Sequence, residues 1–119
     1  MISDEVNPNR TSTGMSGDVL RYTAIEFFNE GAKHSKASDT YSFAMLILEC
    51  ITENPPFPHL SKDHEIISAR FGNRQNPPRP DGPNNIPDDL WGLMERCWKE
   101  NPRERPTMRK VLGFFVNHT

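Results

Sequence analysis

The chain holds 119 residues, enough for one modest domain, and its apolar fraction of 34% lies below the roughly 45–50% of ordinary soluble proteins. Its 14 basic and 16 acidic residues leave a net charge of −2, which gives no electrostatic reason to expect nucleic acid or an anionic membrane as a partner. Two cysteines are too few for a disulfide framework, and the longest apolar run, Tyr41 to Ile51, falls far short of the ~20 residues of a membrane span.

In chain order, no basic segment followed by an apolar run opens the sequence, so no signal peptide is expected and a cytoplasmic or nuclear setting is. Residues 1–20 read as a flexible tail in which Thr11, Ser12, Thr13 and Ser16 stand among Asn, Pro and Gly, a composition open to phosphorylation. A short helix is predicted near Ala24 to Phe28. The strongest signal follows, since Phe43, Ala44, Met45, Leu46, Ile47, Leu48, Cys50 and Ile51 are apolar on every face of a helical wheel. Such a helix, Asp39 to Glu53, has to be wrapped by other elements, and a chain this small leaves an apolar groove beside it. Asp39 stands where an N-cap would.

An amphipathic helix is predicted from Lys62 to Phe71. His59 and His64 read as surface histidines, without ligands at zinc-like spacing. The 11 prolines concentrate between residues 55 and 106 and read as turn-makers. Pro77-Pro78-Arg79-Pro80 invites a reading as a polyproline ligand or as a stiff loop before the next helix. The final pair of helices is predicted over Asp88–Lys99 and Met108–His118. The first buries Leu90, Met94 and Cys97 on one stripe with Trp98 at its edge. Asn101-Pro102 ends it, Pro106 keeps Arg105 extended, and Thr107 caps the last helix. Cys50 and Cys97 read as reduced core thiols. No strand is signalled.

The phrase Cys97-Trp98-Lys99-Glu100-Asn101-Pro102-Arg103-Glu104-Arg105-Pro106-Thr107 resembles the join between the last two helices of the protein kinase catalytic domain, in its tyrosine-kinase and tyrosine-kinase-like branches. Other landmarks of that family's C-terminal lobe occur in order. Arg21-Tyr22-Thr23-Ala24-Ile25-Glu26 resembles the end of its activation segment, Ser38-Asp39-Thr40-Tyr41-Ser42-Phe43-Ala44 the start of its central helix, and Asn54-Pro55-Pro56-Phe57 the loop after it. The resemblance implies an all-α fold, the C-terminal helical lobe, with about five helices around the central Asp39–Glu53 helix. It implies an activation-loop-like tail over 1–20 and a partial kinase domain over 21–118, with Met1 just past the metal-binding motif.

The resemblance also assigns roles. Glu26 would pair with Arg105, tying the activation segment to the last two helices. Asp39 would accept from the catalytic-loop backbone, as an alternative to capping, and Trp98 would be structural. Val19, Leu20, Arg21 and Tyr22 resemble the loop that shapes the substrate pocket, which in this chain would be a surface loop. ATP and magnesium belong to an intact parent kinase, whose chemistry needs a Gly-rich loop, a strand lysine, His-Arg-Asp and Asp-Phe-Gly. None of these motifs occurs in the sequence. The chain is therefore expected to hold no catalytic, cofactor or metal residues of its own and to depend on a protein partner or the missing kinase lobe.

The sequence departs from the family pattern at three places, of which the last points the same way. Ile25 replaces the Pro of Ala-Pro-Glu, Ala44 replaces a Gly, and Gly17-Asp18-Val19-Leu20 lacks the Thr that Ser/Thr kinases place near their catalytic aspartate. Two functions fit: a kinase-domain fragment of a parent that phosphorylates protein, inactive as it stands, or a non-catalytic, pseudokinase-like interaction module.

Overall fold

The structure, a computed structural model, describes residues 17–28, 31–81 and 86–117. Thr11, Ser12, Thr13 and Ser16, whose surroundings are open to phosphorylation by composition, lie outside the described residues. Described residues form helices and turns without a strand. They are α1 (Gly17–Leu20), a 3-10 turn (Ile25–Phe28), α2 (Lys36–Thr52), α3 (Asp63–Ile67), α4 (Asp88–Cys97), a 3-10 turn (Pro102–Glu104) and α5 (Met108–Asn117). A π-helical turn, Ser68–Gly72, continues α3.

The central helix begins three residues earlier than the apolar pattern suggests. Ser35 Oγ accepts from the Ser38 amide at 3.0 Å while Ser38 Oγ accepts from the Ser35 amide at 2.9 Å. This reciprocal box satisfies two donors at the helix start. Asp39 is therefore not the N-cap; it sits one turn inside α2 and is exposed. At the other end Glu53 takes the left-handed conformation, φ 61°, and its amide donates to Glu49 O at 2.7 Å.

Tyr41, Ala44, Met45 and Leu48 repeat at helical spacing on the buried face of α2. Against them lie Trp91, Leu93, Met94, Cys97 and Trp98 of α4 and its end, Val111 of α5, and Ala24 and Ile25. Trp91 and Trp98 meet edge to face at 5.5 Å. The opposite face of α2 is less covered. Leu46 is 50% exposed, and Cys50 is exposed and not the core thiol expected from its apolar neighbours. Cys97 is buried, which pushes its thiol up to about 11.

The remaining elements differ from expectation in extent. The helix near Ala24–Phe28 is a 3-10 turn, and α4 stops at Cys97, with Trp98 as its C-cap. The Lys62–Phe71 helix is half α and half π, with the Asn73 amide reaching Ser68 O at 3.0 Å. Residues 17–20, expected to end a flexible tail, form one helical turn with Leu20 fully buried. Thr107 Oγ1 accepts from the Lys110 amide at 3.3 Å at the start of α5.

No helix among the described residues is long and apolar enough to cross a membrane.

Candidate functional site

Chemistry-bearing side chains converge on residues 18–28, the short α1 turn and the loop that follows it. The loop is closed locally by the Tyr22 amide on Val19 O at 3.1 Å and by Thr23 Oγ1 on the same carbonyl at 3.0 Å. Of the four substrate-loop-like residues, only Val19 is widely exposed, at 49%. Leu20 packs into the core.

Arg21 is not a surface residue either. Its guanidinium turns inward, donating to Pro56 O at 2.9 Å, Phe57 O at 2.7 Å and Leu60 O at 2.6 Å. Those carbonyls belong to the proline-rich turn after α2, which has no helix or strand to satisfy them. Arginine's planar fork serves several at once. Its contact with the exposed Asp18, at 3.2 Å, adds little. Tyr22 is half-buried and its hydroxyl donates to Glu49 Oε1 at 2.6 Å. Burial, and then the Glu49 hydrogen bond and charge, push the phenol up to about 12. Ser42 of α2 donates to Tyr22 O at 2.9 Å.

Glu26 meets Arg105 across 79 residues of sequence, in a two-bond grip of 2.6 and 2.9 Å. The Arg105 side chain is 0% exposed and that of Glu26 is 14% exposed. Pro106 helps to set this geometry, since Arg105 is extended at φ −81° and ψ 147°. Arg105 also donates to Lys99 O at 2.8 Å and Ala37 O at 3.1 Å, and lies 4.8 Å from the Tyr41 ring centroid. Burial alone would raise the Glu26 carboxyl, but the Arg105 hydrogen bonds, the residue's own backbone amide and the Arg105 charge together hold it below the ordinary range.

Asp39 forms no hydrogen bond or ion pair with Glu26 or Arg105. It lines two clefts, one of about 550 Å³ with Lys36, Thr40, Arg105 and Arg109. The other, about 290 Å³, is shared with Val19, Tyr22 and Ser42. Trp98 is 1% exposed, its carbonyl accepts from Asn76 Nδ2 at 3.1 Å, and its Nε1 has no acceptor among the described residues. His59 and His64 are exposed, and no group of three or more His, Cys, Asp or Glu among the described residues could hold a metal ion.

Sequence reasoning missed Arg70. This residue is fully buried and donates to Leu20 O at 3.3 Å, to Thr23 O, to Gln75 O and to Tyr41 Oη at 3.1 Å. A signal was present. Arg70 lies four residues after Ile66, on the stripe that an amphipathic helix turns to the core. Arg79 was read only as part of a loop. It donates to Ile86 O at 2.6 Å and Asp88 Oδ1 at 2.5 Å, closing the proline-rich loop onto the start of α4.

The family model described as protein tyrosine and serine/threonine kinase matches residues 2–115. The proto-oncogene tyrosine-protein kinase ROS of Homo sapiens is 37% identical over 106 residues, covering 82% of this chain and 4% of that protein. Its counterpart in Rattus norvegicus is 38% identical over 93 residues, covering 77% of this chain and 4% of that protein. The chain thus spans about 4% of the length of the curated relatives it matches. With that match over nearly its whole length and an all-helical core built around α2, the chain belongs to the protein tyrosine and serine/threonine kinase family, as a piece of the catalytic domain's helical C-terminal lobe.

Proposed function

We propose that this chain is the protein-substrate side of a kinase domain and does not transfer phosphate by itself. The observation that carries the reading is the loop from Val19 to Thr23, preformed by hydrogen bonds from Arg21, Ser42 and Arg70 while Val19 stays exposed. A loop held this way meets a peptide without first being ordered, which lowers the cost of binding. Phosphoryl transfer itself rests on positioning and charge stabilisation by groups around the nucleotide. The sequence has no Gly-rich loop, His-Arg-Asp or Asp-Phe-Gly to supply them. When bound to a parent kinase, ATP and magnesium would supply the phosphoryl group and its charge neutralisation from outside this segment. Asp39, on the rim of both clefts, is the residue that would receive the catalytic loop of such a parent.

A direct test is phosphotransfer from γ-labelled ATP to tyrosine and serine peptides, beside a thermal-shift titration with ATP and magnesium. Neither labelled peptide nor a nucleotide-dependent shift is expected. Incorporation that persists in a preparation freed of contaminating kinases would overturn the proposal.

The half-exposed Leu46 beside the partly buried Phe43 and Ile47 favours the second reading, a non-catalytic kinase-like module whose α2 face is covered by a protein partner or by the upstream lobe. A compact monomer that binds no hydrophobic dye would count against it.

A further inference from the structure

After Trp98, Arg70 is the largest side chain that the fold closes off from solvent completely. Arginine stays charged at any ordinary pH, so a site that buries one has to answer its charge. Among the described residues no carboxylate pairs with Arg70. Its charge is met by oxygen dipoles and ring faces instead: Leu20 O, Thr23 O, Gln75 O and Tyr41 Oη accept from it. Its Cζ lies 5.5, 5.5 and 5.4 Å from the ring centroids of Phe28, Tyr41 and Phe57. Two of the four acceptors, the carbonyls of Leu20 and Thr23, bracket Arg21 and Tyr22.

The two arginines interlock. Arg70 reaches from the π turn after α3 into the loop, while Arg21 reaches from the loop out to the turn after α2. Phe57 joins them: its carbonyl accepts from Arg21 at 2.7 Å and its ring lies against Arg70. Phe57 also holds a φ of 58°, which a bulky residue rarely adopts and which its surroundings must impose. Arg70 stands in the π turn that continues α3, on the same buried stripe as Ile66.

We infer that Arg70 is a positioning residue for the substrate-facing loop: its forked guanidinium holds the Leu20 and Thr23 carbonyls and so sets where Val19 and Tyr22 stand toward a bound peptide. This rests on the reading of that loop given above. A lysine could keep the charge but not reach two carbonyls and a hydroxyl in one plane. A methionine would fill part of the volume and hold nothing.

The test uses the whole 119-residue chain, as wild type, Arg70→Met and Arg70→Lys, with residue-resolved amide exchange and a peptide titration by NMR. In Arg70→Met, exchange at the Arg21, Tyr22 and Thr23 amides is expected to rise at least about tenfold, while the Trp98 and Val111 amides change less than about twofold. Arg70→Lys should fall between methionine and wild type. A peptide with one tyrosine flanked by glutamates should shift Val19 and Tyr22 in the wild type and bind at least about fivefold more weakly to Arg70→Met. A uniform rise in exchange across all helices, or undiminished binding, would overturn the role of Arg70 alone. Wild-type peptide shifts that map away from Val19 would overturn the substrate reading and the inference with it. Should Arg70→Met fail to fold, the wild-type guanidinium decides. Separate, slowly exchanging Nη signals support the inference, and a single averaged signal overturns it.

Discussion

Changing Glu26 to Gln keeps the shape of the side chain and removes its charge, so it isolates what the carboxylate does for Arg105. The guanidinium makes contacts of 2.6 and 2.9 Å to Glu26 and has a side chain 0% exposed. Without the carboxylate it would keep the carbonyls of Lys99, Ala37 and Glu100, at 2.8, 3.1 and 3.5 Å. Breaking a buried pair costs about 3–5 kcal/mol, chiefly by stranding the remaining charge. Glu26 is 14% exposed, so water already reaches part of the pair, and the low end, about 3 kcal/mol, is the expected cost. For a domain near this size that corresponds to a fall of about 12 °C or more in melting temperature. Arg105→Met should cost a similar amount, since it strands Glu26 and several carbonyls. The double variant should be more stable than the sum of the singles implies, by about 1.5 kcal/mol or more. Circular-dichroism melts at pH 7 measure all four corners of the cycle. Repeating them at high salt should change the coupling little, because a buried pair is poorly screened. Additive single effects, or a Glu26→Gln melt within about 3 °C of wild type, would refute the reasoning.

The same pair sets the acid side of the stability profile. Folding lowers the Glu26 carboxyl from its ordinary 4.5, so its stabilisation is complete above that value and is lost as pH falls through the lower folded one. The gap between wild-type and Glu26→Gln melting temperatures should therefore close on acidification. A gap that widened would contradict the sign. Ser35→Ala should destabilise the chain by about 1 kcal/mol, while Asp39→Ala should stay within about 0.5 kcal/mol, measured by urea unfolding, because Ser35 caps α2. Cys50 should react with a thiol reagent at once in the native protein at pH 8, and Cys97, buried and with its thiol raised to about 11, only on unfolding. Equal labelling rates for the two would show that Cys97 is not buried in the core between α4 and α2.

The helices of this chain were legible because their signals are local. The apolar run from Phe43 to Ile51 reads as a helix with a core-facing side, and prolines mark the breaks around the last two helices. The Cys97–Thr107 phrase carried the family, which the match over residues 2–115 shows. The start of α2 was not legible in the same way. Ser35 and Asp39 are both capping residue types, and the choice turned on Ser38 completing a reciprocal box with Ser35. The candidate site was legible only in part. Glu26 and Arg105 were named from the resemblance, whereas the inward turns of Arg21 and Arg70 and the exposure of Cys50 were not foreseen.

What the sequence by itself determined was the all-α class, the order of the helices and the family. Each of these depends on residues within a few turns of one another, where helical periodicity, proline geometry and short motifs act directly. What only the tertiary structure decided was which charges are buried and which apolar side chains are not. Arg70 is held by acceptors 50 and 47 residues upstream, and Arg21 by carbonyls 35 to 39 residues downstream. A buried guanidinium is tolerable only where carbonyls, carboxylates or ring faces from separate elements meet it, and no local pattern states where such elements converge.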